Sequence, residues 1–226
     1  MVKILLPSRS AIPEGPVPAD GRDENGISAS ANRLPGSIGT LPSVDDATVS
    51  NDLTNVLYTP DQLSDRLREL SAEIDTAYQG KDLLLVGVLS GAVMVMADLS
   101  RALSIHCEMD WMAISSYGSG THSSGVVRII KDLNTDIADR HVLVVEDIID
   151  TGLTLSYLIS NLRSREPASL EIMTMFRKPE AATSQVDVRW VGFDIPNEFV
   201  VGYGLDYDGR YRNLTSLGTL APHVYS

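Results

Sequence analysis

Three carboxylates stand close together in the middle of this chain. Glu146 and Asp147 follow four apolar residues, and Asp150 comes three positions later. Four apolar residues in a row are typical of a strand buried on both faces of a parallel sheet, so the acids should lie where that strand ends. Ionised carboxylates accept hydrogen bonds, and they suit paired sugar hydroxyls or the water shell of a divalent metal ion. The pattern predicts a polar ligand site at the carboxyl edge of a sheet.

The residues that follow could hold an anion. Thr151, Gly152 and Thr154 lie at the start of a helical pattern, whose first N–H groups have no partner within the helix. Glycine lets the backbone approach an anion closely, and threonine hydroxyls add donors. A simpler interpretation is a strand that ends in solvated acids, with Asp150 as the N-cap of the next helix. The ordered combination of acids, glycine and hydroxyls favours a phosphate site.

The segment 142–154 resembles the phosphoribosyl-pyrophosphate (PRPP) loop of the type I phosphoribosyltransferases. That loop has four hydrophobic residues, two acids, a short spacer, then Asp-Thr-Gly or Asp-Thr-Ser, and a threonine. The resemblance implies that the 5′-phosphate is held by Asp150, Thr151, Gly152 and Thr154. It also implies that Glu146 and Asp147 bind the ribose hydroxyls and help to hold Mg²⁺, while Leu153 contributes mainly its backbone.

Further motifs resemble the hypoxanthine-guanine phosphoribosyltransferases, the bacterial members most closely. Matching segments occur in the family's order and spacing at 88–92, 116–117, 176–179, 199–203, 205–207 and 211–212. The resemblance extends from about Thr59 to Tyr225 and implies an α/β fold: a central, mostly parallel sheet flanked by helices, with a small hood and a flexible loop. It implies an enzyme of purine salvage that joins hypoxanthine or guanine to the ribose 5-phosphate of PRPP.

The same resemblance assigns the residues of the purine side. Lys178 would donate to the 6-oxo group, Phe199 would stack on the base, and Val200 would read the purine edge through its backbone. Asp206 would lie by the purine and help to hold Mg²⁺, and Arg212 would contact pyrophosphate. Judged without the family, Phe199 and Val200 are ordinary residues of a core strand, and the three charged residues are ordinary surface charges.

The implied reaction breaks the anomeric C–O bond of PRPP, so positive charge develops on the ribose and negative charge on pyrophosphate. Asp150 would be the catalytic base that accepts the proton from N7 of the purine. Mg²⁺ would neutralise the leaving group, because a chain of net charge -12 has few cations to offer. Gly91 would contact pyrophosphate through its N–H, but here the family's Lys or Arg before this glycine is replaced by Ser90. In the family a cis peptide bond joins the basic residue to the glycine, which corresponds to the Ser90–Gly91 bond here. We expect the replacement by Ser90 to weaken PRPP binding or alter subunit contacts.

The elements that must position these residues alternate between strands and helices. A first helix begins after Thr59, with Pro60 at its first position and Gln62 completing a capping box, and Gly80 ends it. Strands are predicted at 83–89, 109–115, 142–145, 172–176, 186–193 and 199–201, and two more helices at 91–103 and 152–163. This alternation independently predicts an α/β fold with a mostly parallel sheet.

A polar, glycine-rich stretch at 115–125 separates the second and third predicted strands, and Tyr117 is its one apolar anchor. Long loops inside a compact domain are usually either functional or disordered. We predict a mobile lid carrying Ser116 and Tyr117, which closes over the site and excludes water.

Composition narrows the class of protein. The first 50 residues hold six of the 11 prolines and no aromatic residue, which predicts a disordered leader, or a start-site artefact, over residues 1–52. The resemblance implies that residues 53–226 form the phosphoribosyltransferase domain. The 30 acidic against 18 basic residues argue against nucleic acid or an anionic membrane as partner. The most apolar stretch, 83–97, is too short to cross a bilayer. Cys107 is the only cysteine, which suits a cytoplasmic location.

The expected partners are PRPP, hypoxanthine, guanine and pyrophosphate, with Mg²⁺ as cofactor, and the resemblance implies a homodimer or homotetramer. Lys178 argues against adenine, which carries an amine rather than an oxo group at C6. A xanthine-preferring transferase stays open, as does a regulator on the same fold that senses PRPP or nucleotides. A generic Rossmann-type nucleotide binder is disfavoured, because no Gly-x-Gly-x-x-Gly follows a strand.

Overall fold

The structure is a computed structural model that describes residues 49, 51–117, 126–184 and 186–225. Its strands are β1 (Leu53–Tyr58), β2 (Leu83–Leu89), β3 (Cys107–Tyr117), β4 (Val126–Lys131), β5 (His141–Ile149), β6 (Ser169–Arg177), β7 (Trp190–Asp194), β8 (Val200–Val201) and β9 (Leu217–Leu220). Its helices are α1 (Pro60–Tyr78), α2 (Val93–Ala102), α3 (Leu153–Arg163) and α4 (Pro222–Tyr225). Within this described part, no helix is long and apolar enough to span a membrane.

Two sheets organise these elements. Six strands form the main sheet in the order β4-β3-β2-β5-β6-β7, and all neighbours are parallel except the antiparallel pair β3 and β4. Strands β1, β9 and β8 form a small antiparallel sheet, which we call the hood. The predicted α/β fold with a mostly parallel sheet and a hood is confirmed. The predicted leader lies almost wholly outside the described residues and stays a prediction.

The main sheet separates two apolar cores. On one face, Leu83 and Leu85 pack with α1 and α2, while on the other, Leu84 and Val86 pack with α3. None of these four side chains is accessible to solvent. Because successive side chains of a strand point to opposite faces, a strand covered on both sides must be apolar throughout. This explains the unbroken apolar run of β2, whose predicted bounds agree with the structure.

Helix α1 begins as the sequence predicts. The Thr59 N–H donates to Gln62 Oε1 at 2.9 Å, and the Gln62 N–H donates to Thr59 Oγ1 at 3.4 Å. This reciprocal pair is the predicted capping box, and Pro60 is the first helical residue. The helix ends at Tyr78, and Gly80 turns the chain with a φ of +73°. Strand β2 follows and lies between β3 and β5 in the main sheet.

Three strands are missing from the sequence prediction. Strands β1 and β9 pair with each other in the hood, where Leu53 lies opposite Leu220. Strand β4 pairs with β3 and places an antiparallel edge on the parallel sheet. All three are short, and they pair with partners whose proximity depends on the whole fold, so local sequence carries little sign of them.

Several predicted boundaries are wrong. Strand β5 continues to Ile149, so Glu146 and Asp147 lie within it rather than after it. Ser116 and Tyr117 belong to strand β3, where they pair with Val127 and Val126, and not to a loop. The rest of the predicted lid, residues 118–125, lies outside the described residues. The strand predicted over 186–193 begins only at Trp190, because Val186 and Val188 first pack against the core beneath α3.

Candidate active site

A cavity of about 390 Å³ opens where β2, β5 and β6 end, beside the hood. It brings together nine of the residues that the sequence analysis singled out: Gly91, Glu146, Asp147, Asp150, Lys178, Phe199, Val200, Asp206 and Arg212. Carboxyl ends of parallel strands are the usual ligand-binding edge of open α/β sheets. We call this the main cavity.

Strand β5 places the two adjacent acids of the main cavity. Glu146 is 8% exposed and still within the parallel ladder, and Asp147 is half-buried. Burial raises the pKa of Glu146 well above its ordinary range, and the neighbouring charge of Asp147 adds to this effect. Burial also raises the pKa of Asp147 to about 6, against the opposing influence of the Ile148 N–H at 2.8 Å. Desolvated carboxylates of this kind gain most from a positively charged ligand.

Two glycines allow the walls of the main cavity to meet. A Cβ atom on Gly91 would lie 1.6 Å from Asp147 Oδ2, so only glycine leaves room for that carboxylate. A Cβ atom on Gly204, whose φ is +99°, would lie 2.2 Å from the carbonyl oxygen of Gly91. The turn after β2 therefore touches both β5 and the segment that carries Asp206. Residues far apart in sequence are joined here by backbone contact that no side chain would permit.

The turn around Gly91 differs from expectation at one bond. The cis peptide bond lies between Leu89 and Ser90, one residue before the predicted Ser90–Gly91 position. Helix α2 also begins later than predicted, at Val93, because 90–92 form the turn. Ser90 is exposed, and it presents a hydroxyl where the family resemblance implies a basic group.

A second cavity of about 140 Å³ adjoins the first at Glu146 and Asp150. We call it the phosphate cavity, and Thr151, Gly152 and Thr154 line it together with those two acids. Helix α3 begins at Leu153 rather than at the predicted Gly152, which is the N-cap in a left-handed conformation with a φ of +77°. Glycine has no side chain that could accept a hydrogen bond from the first N–H groups of the helix. The first turn of α3 borders this cavity through Thr154 and Leu155, which is the arrangement that an anion site at a helix N-terminus requires.

The loop after β6 holds the phosphate cavity in shape. The carbonyl oxygen of Thr151 accepts hydrogen bonds from the N–H groups of Thr183 and Ser184, at 3.1 and 3.2 Å. The hydroxyl of Ser184 donates to the same oxygen and lies 3.1 Å from Ser156 Oγ. These hydrogen bonds tie the loop after β6 to Thr151, which lines the cavity. Sequence analysis did not identify this support, since it depends on a loop about 30 residues away.

The residues predicted to bind the purine come from the end of β6 and the start of β8. Lys178 is only 8% exposed, and its Nζ lies 4.0 Å from Asp150 Oδ2. Its backbone N–H donates to Ile149 O at 2.9 Å, which ties the lysine to the end of β5. Phe199 is 41% exposed, whereas Val200 is buried in β8. Lys178 is therefore no ordinary surface lysine, because its long side chain is enclosed with a carboxylate as neighbour.

Four apolar residues line the main cavity without having been predicted as site residues: Val88, Leu89, Ile148 and Leu205. Ile148 is the most informative, because it lies between the paired acids and Asp150. Along β5, Ile149 is buried in the core beneath α3, whereas its neighbour Ile148 faces the other side of the sheet, where it packs against the second core and lines the cavity. This alternation was available in the sequence, and it identifies Ile148 as a wall of the main cavity.

An ion pair links two residues of the main cavity that lie in the segment between β8 and β9. Arg212 Nη2 lies 2.5 Å from Asp206 Oδ1, and Arg212 Nη1 donates to Gly204 O at 2.6 Å. Asp206 Oδ2 accepts from the Gly209 N–H at 2.8 Å, which closes the tight turn between them. The charges of Arg212 and Asp206 both reach Asp147, the first lowering its pKa and the second raising it. The predicted pyrophosphate-binding arginine and metal-binding aspartate are thus in contact with each other.

The acids of the main cavity fit a magnesium ion that is shared with a substrate. In the described part of the chain, no three His, Cys, Asp or Glu side chains are arranged to hold a metal by themselves. Mg²⁺ usually keeps several waters and binds one or two carboxylates together with substrate phosphates. Asp147 and Asp206 meet that requirement, because both line the main cavity and the charge of Asp206 raises the pKa of Asp147. The predicted trio of Glu146, Asp147 and Asp206 does not form a preassembled metal cage.

Comparisons with known proteins cover most of the chain. A model of the phosphoribosyl transferase domain matches residues 57–208. The chain is 54% identical over 180 residues to a hypoxanthine-guanine phosphoribosyltransferase of Mycobacterium avium, a match that covers 77% of this chain and 89% of the relative. It is 46% identical over 177 residues to the enzyme of that name from Bacillus subtilis, covering 78% and 98%. A crystal structure of a hypoxanthine phosphoribosyltransferase from Staphylococcus aureus matches with a TM-score of 0.77 and 46% identity, covering 79% of this chain and 97% of that one.

Proposed function

We propose that the two cavities bind different parts of the substrates, because this chain belongs to the hypoxanthine-guanine phosphoribosyltransferases. The chain is an enzyme of purine salvage that transfers the 5-phosphoribosyl group of PRPP to hypoxanthine or guanine, giving IMP or GMP and pyrophosphate. In our proposal the phosphate cavity holds the 5′-phosphate, and the main cavity holds the ribose, the base and pyrophosphate. The observation that carries it is their junction at Glu146 and Asp150, where the ribose would span both.

Asp150 is the group we assign to proton transfer. It belongs to both cavities, and its half-exposed carboxylate lies 4.0 Å from Lys178 Nζ. A purine whose 6-oxo oxygen accepts from Lys178 carries N7 on the adjacent edge of the ring, within reach of Asp150. As N9 bonds to the ribose, positive charge grows on the base, and Asp150 accepts the N7 proton. Phe199 and Ile148 would enclose the base plane from its two sides, and Val200 would bind its edge through the backbone.

The leaving group would be received at the other end of the main cavity. The Gly91 N–H and the Arg212 guanidinium are the donors we assign to pyrophosphate, and Glu146 and Asp147 would bind the ribose hydroxyls. Bound Mg²⁺ would supply charge neutralisation for the departing oxygens, with Asp147 and Asp206 as the protein ligands that fit it. Catalysis in this proposal is positioning and electrostatic stabilisation, with no covalent enzyme intermediate.

We also propose three properties that reach beyond the site. A lid that begins at the end of β3, with Ser116 and Tyr117 at its base, would close over the bound substrates. The chain would act as a homodimer or homotetramer in the cytoplasm, where its one cysteine would stay reduced. Residues 1–52 would form a leader to a domain that extends from residue 53 to the C-terminus.

The test is nucleotide formation from PRPP and Mg²⁺ with hypoxanthine, guanine, xanthine or adenine, followed by ultraviolet absorbance. Wild-type protein should form IMP and GMP but no AMP, and EDTA should stop both reactions. Asp150→Asn should lower kcat by about 10²–10⁴-fold, while the melting temperature and the KM for PRPP change little. Asp61→Asn removes an exposed acid that lines neither cavity and should leave kcat unchanged. A kcat for Asp150→Asn within a few-fold of wild type would exclude Asp150 as the base.

A further inference from the structure

The ring of Phe199 is held by two other aromatic rings. Its centroid lies 5.2 Å from that of Tyr225 with 25° between the planes, which is a stacked arrangement. The Tyr207 ring meets it edge-on, at 5.6 Å and 89°. Tyr207 and Tyr225 also contact each other, at 6.4 Å and 67°. We call these residues the three-ring cluster, in which every ring touches the other two.

The cluster leaves one side of the Phe199 ring open to the main cavity. Phe199 lines that cavity, whereas neither Tyr207 nor Tyr225 is among its lining residues in the described part of the chain. The phenylalanine side chain is still 41% exposed although two rings pack against it. Tyr225 therefore stacks on the face of Phe199 that points away from the cavity, and a planar ligand would meet the opposite face.

Helix α4 brings Tyr225 to this place and is anchored without it. The Ala221 N–H donates to Asp52 O at 2.8 Å, immediately before the helix begins. Val224 packs against the small apolar cluster of the hood. The preceding residue of β9, Leu220, donates its N–H to Phe199 O at 2.8 Å. The backbone of α4 is thus fixed by contacts other than the Tyr225 ring, so removal of that ring should leave the helix in place.

We propose that Tyr225 is a positioning residue for purine binding, acting through Phe199. This inference rests on the proposed function, in which Phe199 stacks on the base. A partly exposed phenylalanine has several staggered side-chain conformations available, and in the structure Phe199 adopts one that lines the cavity. Stacking on Tyr225 and edge contact with Tyr207 restrict the ring to that conformation before the base arrives. A ring ordered in advance loses less conformational entropy when the purine binds.

The test compares the two substrates in steady-state kinetics. Tyr225→Ala should raise the KM for hypoxanthine and guanine about three- to tenfold, which is the range expected for loss of one aromatic contact. The KM for PRPP and the melting temperature should stay close to wild type. Tyr225→Phe keeps the stacked ring and should restore the purine KM. Tyr157 is 43% exposed, close to the 41% of Tyr225, and lines neither cavity. Tyr157→Ala should therefore change neither KM.

Phe199→Leu separates this inference from the proposed function. If Phe199→Leu leaves the purine KM unchanged, the base-stacking assignment itself is wrong. If it raises the purine KM while Tyr225→Ala does not, the assignment holds and the inference about Tyr225 is overturned. In the double variant, Tyr225→Ala should add nothing to the effect of Phe199→Leu. An additive effect, a lower purine KM in Tyr225→Ala, or an equal rise in the KM for PRPP would each overturn the inference.

Discussion

The folded protein should hold a proton on Asp147 well above the pH at which the unfolded chain releases it. Burial raises the pKa of Asp147 from the ordinary 3.8 to about 6, in a setting that also contains Glu146, Asp206 and Arg212. A carboxyl with a raised folded-state pKa stabilises the protein below the unfolded pKa, and that contribution is lost as the pH rises through the folded pKa. Without substrates and Mg²⁺, the enzyme should therefore lose stability between about pH 4 and pH 7 on account of this group.

Asp147→Asn measures the size of this effect. A shift of about two units corresponds to about 3 kcal/mol at 1.36 kcal/mol per unit, and partial access of solvent to Asp147 lowers the expectation to about 1–3 kcal/mol. Asparagine has nearly the same shape and never ionises. The unfolding free energy of the variant, relative to wild type, should accordingly rise by that amount from pH 4 to pH 7. Loss of the Asp147 charge also removes one cause of the raised pKa of Glu146, which adds to the effect in the same direction.

The assay is urea unfolding in EDTA at several pH values, with wild type, Asp147→Asn and the exposed control Asp61→Asn. In thermal unfolding, each kcal/mol should shift the melting temperature by roughly 2–4 °C for a chain of this size. Addition of Mg²⁺ and PRPP should reverse the order at pH 7, because the ionised Asp147 then gains a positive partner. A difference between Asp147→Asn and wild type that stays flat or falls between pH 4 and pH 7 would refute the reasoning.

Two further predictions concern the turn after β2. Gly91→Ala would place a Cβ atom 1.6 Å from Asp147 Oδ2, so the carboxylate must move. The kcat/KM for PRPP should then fall at least about tenfold, and overpacking should cost about 1–3 kcal/mol of stability. Near-normal kinetics would contradict the close approach. Ser90→Lys should lower the KM for PRPP several-fold by adding positive charge beside the main cavity, whereas the neutral variant Ser90→Met should not. If both variants behave alike, charge at Ser90 has no part in PRPP binding.

Local pattern was enough to predict the parts of the site that are contiguous in sequence. The paired acids of β5, the left-handed glycine and the helix that follows lie within one short segment, so strand, turn and helix signals identify them together. The bounds of β2 and the capping box at Thr59 were predictable for the same reason, since each depends on neighbours within one or two turns. The purine-side residues were identified only by resemblance to a family, because a lone lysine or phenylalanine carries no local signal.

The hood and the edge strand depend on contacts that sequence pattern does not encode. Strands β1 and β9 exist because Leu53 and Leu220 meet across nearly the whole domain. The same long-range pairing sets Phe199 beside α4 and so allows Tyr225 to stack on it. In β4, the partner strand β3 supplies the ladder that a short run of valines and isoleucines cannot provide alone.

The sequence by itself therefore determined the chemistry, and the tertiary structure decided the geometry. Residue types and their order specified the paired acids, the glycine turn before a helix and a mostly parallel α/β fold, since periodicity and local hydrogen bonding act over a few residues. Only the folded chain brings Gly91 against Asp147, and Gly204 against Gly91, at distances that exclude any side chain. The cavity arises from this close packing of remote segments, which burial of two continuous cores stabilises as a unit.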